Sequence, residues 1–321
     1  MKAMQWLDGV VAVSGEIRDS RGEDSYSYLF SETGGMAAVL DGCGGLGARR
    51  YGTLESKSGA YLASRVVSEA LQRHFEALPP DAREKRSAQR LQTALSAALR
   101  DARARLPGGE GQASGAMVRT LPTTLSCVLM SPASDGLYAR FLWAGDSRGY
   151  VLTANGLVQA TRDDLSGGPD AMENLYEDAA MNNVLQADEP FRINERLFRL
   201  PLPGVVIAAT DGAFGCLSSP MDFEHFLLDT LSQAGSLRAW QTLLQDALGA
   251  GAQDDFTMLL MPFGWHSFKA LRGGLEGRRL ALRERFVIPM DAYSPRDRAQ
   301  MFRVWETYKP QYYSEGMNVR A

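Results

Sequence analysis

Short runs of apolar, β-prone residues separated by polar and glycine-containing turns make up much of the chain, and this pattern is typical of strands. The first forty residues contain three such runs, Val10–Val13, Tyr26–Phe30 and Met36–Leu40. More runs follow from residue 124 onward, and Asn155–Gly156 marks a hairpin turn between two of them. These later runs are Thr124–Met130, Tyr138–Ala144, Gly149–Thr153, Leu157–Gln159, Arg196–Leu200, Val205–Thr210 and Thr257–Met261.

Four other segments show the helical period, with apolar residues recurring every three or four positions. They are Thr53–Leu78, which Pro79–Pro80 ends, about Asp81–Leu106, Phe223–Leu231 and Leu237–Leu248. Their apolar stripes are best explained by core packing. Strands come first, then two long helices, more strands, two helices and a last strand. This order differs from βαβ alternation and predicts an α+β layered sandwich of mainly antiparallel sheets.

The composition is that of an ordinary globular protein, with 321 residues of which 45% are hydrophobic and 22% charged. A net charge of −4 argues against a nucleic-acid partner. No run approaches the roughly 18 apolar residues of a membrane span, and no secretory signal is evident. Cys43, Cys127 and Cys216 are too widely spaced for a disulfide framework. We therefore expect a cytoplasmic protein.

Two regions differ from the rest of the chain in composition and periodicity. The segment at about residues 162–190 is acidic and without clear period, which predicts a surface flap. Residues 264–321 carry 11 Lys and Arg against 6 Asp and Glu, and are rich in aromatic residues. We therefore predict a domain over residues 1–263 and an extension over 264–321 that packs back on the domain or docks on a partner.

Aspartates occur repeatedly at the ends of the predicted strands. Asp41, Asp146 and Asp211 follow apolar runs, and Asp254 and Asp255 precede one. Adjacent strand ends can converge, and clustered carboxylates repel one another unless a divalent cation neutralises them. With only three histidines, oxygen ligands and therefore Mg²⁺ or Mn²⁺ are expected. A single Asp-Gly usually marks a turn, but four strand-end aspartate sites in one chain favour a metal centre.

The motifs around these aspartates resemble, in order, those of the PPM (PP2C-type) protein serine/threonine phosphatases over about residues 8–262. This resemblance implies a four-layer αββα sandwich. The motifs are Arg21–Asp24 (Glu-Asp), Leu40–Gly45 (Asp-Gly-X-Gly-Gly), Pro122–Thr124 (Gly-Thr-Thr), Ala144–Arg148 (Gly-Asp-Ser-Arg), Thr161–Asp164 (Thr-X-Asp-His), Thr210–Gly212 (Ser-Asp-Gly) and Asp254–Thr257 (Asp-Asn-X-Thr).

The resemblance also implies ligand roles. Asp41 would bridge two Mn²⁺ or Mg²⁺ ions, and Glu23 with the carbonyl of Gly42 would complete the shell of one ion, partly through water. Asp211 and Asp254 would hold the other ion. The implied reaction is hydrolysis of phosphoserine or phosphothreonine in proteins by an activated water, without a covalent enzyme intermediate. The implied partners are phosphoprotein substrates, the products of a cognate serine/threonine kinase.

Asp24 would orient water without contacting a metal, and an arginine would bind the phosphate. The position at which the family has that arginine is Asp19, so we expect Arg18 to take its place through a one-residue bulge. Asp146 would bind a third ion, but the position of its partner ligand is Gly215. The sequence therefore predicts two metal ions. A third metal site would lack the carboxylate ligand that Gly215 replaces.

Two alternatives remain open at this stage. Cys43–Arg49 fits the Cys-x₅-Arg loop of cysteine-dependent phosphatases, although that scheme leaves the strand-end aspartates unexplained. The altered arginine position, Cys43 in place of the family's His or Met, and Gly215 would also fit an inactive PP2C-like fold that binds a partner. The retained Asp41, Asp211 and Asp254 favour the enzyme.

Overall fold

The computed structural model describes residues 6–18, 20–52, 56–106, 119–177, 179–292 and 295–313. Asp19, and Thr53 as the predicted start of the first long helix, lie outside the described residues. The strands are β1 (Val11–Gly15), β2 (Ser25–Phe30), β3 (Gly35–Leu40), β4 (Arg50–Tyr51), β5 (Lys57–Ser58), β6 (Leu125–Pro132), β7 (Gly136–Ala144), β8 (Arg148–Thr153), β9 (Gly156–Gln159), β10 (Asn194–Pro201), β11 (Gly204–Ala209) and β12 (Phe256–Phe263). The helices are α1 (Gly59–Ala77), α2 (Ser87–Arg105), α3 (Asp211–Phe214), α4 (Pro220–Gln233), α5 (Leu237–Gly251), α6 (Phe268–Leu282), α7 (Ile288–Met290) and α8 (Arg298–Tyr312).

Ten of these strands form two five-stranded antiparallel sheets. One has the order β1-β12-β11-β8-β9 and the other β10-β7-β6-β3-β2. A buried apolar layer, which includes Val39, Phe141 and Leu259, lies between the sheets. Helices α1 and α2 pack on the outer face of the second sheet, and α4, α5, α6 and α8 on that of the first. The predicted α+β sandwich of antiparallel sheets is therefore confirmed.

The long helices form because their apolar positions share one face. In α1, the fully buried Ala63, Val67 and Leu71 follow the helical spacing and face the sheet. The helix begins at Gly59 because the Ser58 hydroxyl accepts a hydrogen bond from the backbone N–H of Tyr61 at 3.0 Å. The two-residue strands β4 and β5 form a small hairpin before it. That hairpin is too short to give a sequence pattern, and we did not predict it.

The segment that follows Phe263 is helical and packed in its described part. Helix α6 contacts α4, and α8 contacts β9. Trp305, Tyr308 and Tyr312 on α8 are fully buried in the core layer beneath the first sheet. None of the helices in the described ranges has both the length and the apolar composition needed to cross a membrane.

Candidate metal centre

The structure brings the strand-end aspartates together at one end of the two sheets. Asp41 follows β3, Asp146 lies in the turn between β7 and β8, Asp211 begins α3 directly after β11, and Asp254 lies just before β12. Desolvation raises the pKa of Asp41 well above its usual range, and the charges of Asp211, Asp24, Asp146 and Asp254 raise it further. The side chains that the sequence predicts to be metal ligands therefore share one electrostatic environment.

The backbone of Asp41 is held by the Pro122–Thr124 motif. Its carbonyl accepts hydrogen bonds from the Thr123 hydroxyl at 2.7 Å and from the Thr124 N–H at 2.8 Å. Its N–H donates to the Thr124 hydroxyl at 3.1 Å. Among the described residues, none donates a hydrogen bond to its carboxylate. The peptide of Asp41 is therefore fixed, and its carboxylate is left for another partner.

Glu23 is hydrogen-bonded to residues at the start of α1 and within it. Its carbonyl accepts hydrogen bonds from Ser64 at 2.5 Å and from the Arg65 guanidinium at 3.0 Å, and its carboxylate accepts one from Ser58. Gly42 lies against this segment so closely that a Cβ atom there would be 2.8 Å from the Glu23 carbonyl oxygen. Only glycine fits at this position, which explains the Asp-Gly sequence here without a turn requirement.

Asp24 and Asp146 each have a buried carboxylate oxygen without a hydrogen-bond partner in the described structure, Oδ1 in both cases. The other Asp24 oxygen, Oδ2, accepts a hydrogen bond from Thr210 at 2.8 Å. Desolvation raises the pKa of both carboxyls to about 8, and the charge of Asp211 contributes in each case. Buried oxygens without partners are costly, and each is an acceptor suited to a cation or an ordered water.

Asp211 and Asp254 complete the group. The Asp211 carboxylate accepts a hydrogen bond from the N–H of Gly212 at 2.9 Å. Desolvation and the charge of Asp254 raise the pKa of Asp211 to about 6. Asp254 is exposed, and it accepts a hydrogen bond from the Asp255 N–H at 2.8 Å. Desolvation raises the pKa of Asp254 as well, with the charge of Asp255 contributing.

Asp255 has a role that the sequence analysis missed. Its Oδ1 accepts the N–H of Ile17 at 2.8 Å and its Oδ2 accepts the N–H of Glu23 at 2.8 Å. Both oxygens are therefore used to hold the loop between β1 and β2 against the start of β12. The only signal in the sequence was the Asp254–Asp255 pair ahead of the last strand.

Arg18, predicted to bind phosphate, is an exposed residue beyond the end of β1. The β1–β12 ladder stops at Gly15, and the N–H of Arg21 donates to the carbonyl of Arg18 at 3.0 Å. Arg18 therefore lies in a turn and not at a bulge within the strand. A second cation lies on the β4–β5 hairpin, where Arg50 is paired with Ser58, the residue that contacts Glu23.

The Cys-x₅-Arg alternative is not favoured. Cys43 is buried, and desolvation raises the pKa of its thiol well above its usual range, with the charges of Asp41 and Asp146 adding to the effect. A cysteine nucleophile needs the opposite, a lowered pKa and a cationic environment. The surroundings of Cys43 are acidic, so a thiolate is not stabilised there.

The donor set fits a hard divalent cation in its chemistry. It offers carboxylate oxygens only, several of them unpaired, and each charge destabilises its neighbours in the absence of a cation. As the side chains stand, however, no three Asp, Glu, His or Cys residues of the described ranges enclose a point at which an ion could sit. Binding therefore requires water ligands or small rotations of the carboxylates.

Comparison with known proteins agrees with the family resemblance found in the sequence. The family profile described as Protein phosphatase 2C matches residues 14–249. No curated protein sequence gives a significant match.

Several solved bacterial phosphatases have similar structures, each matching 80% of this chain. Stp1 of Staphylococcus aureus is 17% identical over 94% of its own chain, with a TM-score of 0.58. PstP of Mycobacterium tuberculosis is 19% identical over 98%, with a TM-score of 0.54. PppA of Pseudomonas aeruginosa, described as a key regulatory component of T6SS, is 21% identical over 99%, with a TM-score of 0.54. A PstP catalytic domain that also matches, with a TM-score of 0.53, is in complex with two manganese ions. The chain therefore belongs to the protein phosphatase 2C family of enzymes.

Proposed function

We propose that the protein hydrolyses phosphoserine and phosphothreonine in proteins at a centre that holds two Mn²⁺ or Mg²⁺ ions. The observation that carries this proposal is the cluster of like-charged carboxylates, in which Asp24 and Asp146 each have a buried oxygen without a hydrogen-bond partner in the described structure. Such a cluster is unfavourable in the folded protein unless a cation neutralises it. The family assignment makes a phosphoryl group the natural substrate.

Each carboxylate has a proposed role. Asp41 would help to hold both ions, since its peptide is fixed while its carboxylate has no partner among the described residues. Glu23 and the Gly42 carbonyl serve one ion, and Asp211 and Asp254 serve the other. Water would supply further ligands, because no three side chains of the described residues converge on one point. When bound, the ions would supply a nucleophilic water at neutral pH and offset charge on the phosphoryl oxygens.

Asp24 is proposed to orient water. Thr210 donates to one of its oxygens, and the other is buried and free to accept a hydrogen bond. Asp146 is proposed as a further metal ligand on the same ground, although Gly215 supplies no second carboxylate for a third ion. Arg18 remains the proposed phosphate-binding residue, and the exposed Arg50 on the β4–β5 hairpin is a second candidate.

The proposed substrates are phosphoproteins made by a serine/threonine kinase. The family assignment supports protein substrates, and an acidic centre beside exposed arginines suits a phosphate that arrives with its own charge. A cytoplasmic setting is proposed because all three cysteines are free thiols.

The test is hydrolysis of a phosphothreonine peptide and of p-nitrophenyl phosphate with and without Mn²⁺. We expect activity that depends on Mn²⁺, that EDTA abolishes and that iodoacetamide leaves intact. Asp41→Ala and Asp211→Ala should each lower kcat/KM by about a thousandfold, because a metal centre supplies several kcal/mol of transition-state stabilisation.

Two results would contradict the proposal. Equal rates in the wild type and both variants would assign the fold to a binding role without catalysis. Inactivation by iodoacetamide together with resistance to EDTA would restore the cysteine mechanism. Asp246→Asn is a matched control, since Asp246 is an exposed carboxylate on α5 outside the cluster.

A further inference from the structure

Helix α8 of the extension contacts the flap at several points, and one of them is the carboxylate of Asp170. The indole N–H of Trp305 donates to Asp170 Oδ1 at 3.1 Å, and the ammonium of Lys309 lies 2.6 Å from Oδ2. The same Oδ1 accepts the N–H groups of Met172 at 2.9 Å and of Glu173 at 3.2 Å. Asp170 therefore binds two backbone N–H groups at the start of the flap's short 3₁₀ helix, Glu173–Leu175, while α8 holds its carboxylate.

A second contact flanks the first. The Tyr313 hydroxyl accepts the N–H of Ala171 at 2.6 Å and donates to the carbonyl of Pro169 at 2.9 Å. The guanidinium of Arg162 lies over the Tyr313 ring at 4.1 Å. Trp305 and Lys309 of α8, with Tyr313 just after its end, thus bind one short stretch of the flap through its backbone and the carboxylate of Asp170.

The inner side of the flap is joined to β8. The amide of Asn174, within the 3₁₀ helix, donates to Asp163 Oδ2 at 2.9 Å. Asp163 in turn makes a two-pronged, fully buried pair with Arg148, with N–O distances of 3.0 and 2.6 Å. Because the guanidinium fork and the carboxylate are both planar, this pair fixes the orientation of the two segments that it joins.

Arg148 lies two residues after Asp146, and the chain of contacts continues into the centre. Ser147 is hydrogen-bonded to Thr124 at 2.7 Å, and the Thr124 hydroxyl accepts the N–H of Asp41 at 3.1 Å. Every step from Lys309 to Asp41 is a hydrogen bond, an ion pair or a peptide neighbour. The extension and the metal centre are therefore joined through the flap by direct contacts.

We propose that α8 positions the flap for protein substrates, and that Lys309 and Tyr313 are positioning residues for this reaction. The proposal rests on the proposed phosphatase function and deepens it. The side chains of α8 that bind the flap do not approach the carboxylate cluster directly. They hold residues 165–177, which follow Asp164 directly in the chain. The Asp164 N–H donates to the carbonyl of Gly145, the residue before Asp146, at 3.0 Å.

The contact can be weakened without unfolding the domain. A solvent-open groove of about 620 Å³ runs along the junction, lined by Arg162, Asp170, Glu173, Lys309 and Tyr313. The Lys309 side chain is 37% exposed. Trp305 is fully buried and would destabilise the core on substitution. Substitutions at the two outer residues therefore separate positioning from folding.

The experiment compares Lys309→Met and Tyr313→Phe with the wild type in the full chain. The first removes the cation and keeps the aliphatic stem; the second removes both hydroxyl hydrogen bonds and keeps the ring on Arg162. We expect amide hydrogen exchange in residues 165–177 to accelerate about tenfold, since hydrogen bonds with charged partners resist local opening. KM for a phosphothreonine peptide should rise about fivefold, and the KM and kcat for p-nitrophenyl phosphate should stay within about twofold.

Arg303→Met is the matched control, because Arg303 is an exposed cation on the same helix whose side chain contacts Asp297 at 3.8 Å and Gln300 at 3.0 Å, and neither of these residues belongs to the flap. It should leave both readouts unchanged. Unchanged exchange in both Lys309→Met and Tyr313→Phe would overturn the contact as a restraint. Faster exchange with unchanged peptide kinetics would overturn its role in positioning.

Failure of the proposed function gives a different result. If the wild type hydrolyses neither substrate, the phosphatase proposal fails, and the role of α8 in substrate positioning fails with it. The hydrogen-exchange arm still decides whether α8 restrains the flap, because that measurement needs no substrate. An equal rise in KM for both substrates would also overturn the proposal, since it would indicate a general defect of the centre.

Discussion

Two buried groups of charged side chains in this protein are built in opposite ways. In the first, Glu224 on α4 accepts two hydrogen bonds from the Arg278 guanidinium, at 2.6 and 2.7 Å, and one from the Tyr308 hydroxyl at 2.5 Å. Every charge there has an opposite charge or a hydrogen bond. In the second, the carboxylates of the metal centre face one another, with unpaired oxygens on Asp24 and Asp146. The first group is complete within the chain, and the second is the proposed binding site for a cation.

The difference shows what each group contributes. A buried ion pair that is fully hydrogen-bonded joins elements, here α4 with α6 and α8, and adds little that a ligand could use. A cluster of like charges destabilises the folded state, and this destabilisation is offset only when a ligand of opposite charge binds. Substitutions in the first group should therefore affect mainly the stability of the fold. Substitutions in the second group should affect mainly the binding of a metal ion.

Breaking the paired group should have the largest effect. Arg278→Met should lower the free energy of unfolding by about 3–5 kcal/mol, because it leaves Glu224 buried and unpaired. Urea denaturation measures this. The double variant Arg278→Met with Glu224→Leu should recover most of the loss, since apolar replacement of a buried pair is often neutral. Arg199→Met, in an exposed pair with Asp135, is the control. If the single and double variants lose the same free energy of unfolding, the loss does not come from an unpaired Glu224, and the contrast between the two groups fails.

Neutralising one carboxylate of the unpaired group should act in the opposite direction. Asp41→Asn should raise the unfolding free energy of the EDTA-treated protein by about 1 kcal/mol, because it removes a carboxyl group whose ionisation is disfavoured in the folded state by burial and by the neighbouring carboxylates. The same change should abolish the stabilisation that Mn²⁺ gives to the wild type. Thermal unfolding with EDTA and with Mn²⁺ measures both. A destabilised variant in EDTA would mean that Asp41 supports the fold in a way its hydrogen bonds do not suggest.

Protons should compete with Mn²⁺ for the carboxylates of the second group. Burial raises the pKa of Asp24 and Asp146 to about 8 and that of Asp211 to about 6, so these groups bind protons that a metal must displace. Affinity for Mn²⁺ should rise about tenfold per pH unit for each proton released, over the range from about pH 6 to about pH 8. Calorimetry in buffers of different ionisation enthalpy counts those protons.

The stability of the metal-free protein should change in the opposite direction with pH. The folded pKa values lie above the ordinary aspartate value of 3.8, so the folded state holds more protons than the unfolded chain between those limits. Stability is then greatest near the lower limit and falls as the pH rises toward about 8. A metal-free protein that grows more stable over this range would contradict the raised pKa values.

The smallest expected effect concerns phosphate binding at the rim of the centre. Arg18→Ala and Arg50→Ala should each raise the inhibition constant of inorganic phosphate, by about threefold to tenfold for the residue that contacts phosphate. The residue with the larger effect is the phosphate-binding arginine. Arg73→Ala, an exposed arginine on α1 that pairs with Glu69, provides the baseline. If neither Arg18→Ala nor Arg50→Ala exceeds that baseline, the metal ions alone carry phosphate recognition.

The sequence predicted the sheets well because strand and helix periods are local properties. Ten of the twelve strands begin and end within a few residues of the predicted runs, and both long helices were identified, although α2 begins at Ser87 and not near Asp81. The aspartates were identifiable because a glycine or a strand follows each one. The order of the motifs then gave the family.

What the sequence did not reveal depends on contacts between distant segments. Asp255 binds backbone groups more than 230 positions away, and nothing near it in the chain indicates that. The β4–β5 hairpin is too short to have a period. The aromatic residues of the extension indicated packing, but the contact of Trp305 and Tyr313 with the flap arises only when α8 is placed beside β9.

The indole of Trp305 has a practical consequence. It is one of five tryptophans in the chain, and its N–H faces the carboxylate of Asp170 in a fully buried setting. An indole beside a carboxylate in a dry environment absorbs and emits at different wavelengths from one that water reaches. The protein therefore contains a natural chromophore at the junction between its extension and its flap, and ultraviolet spectroscopy of the unlabelled enzyme can follow that junction in real time.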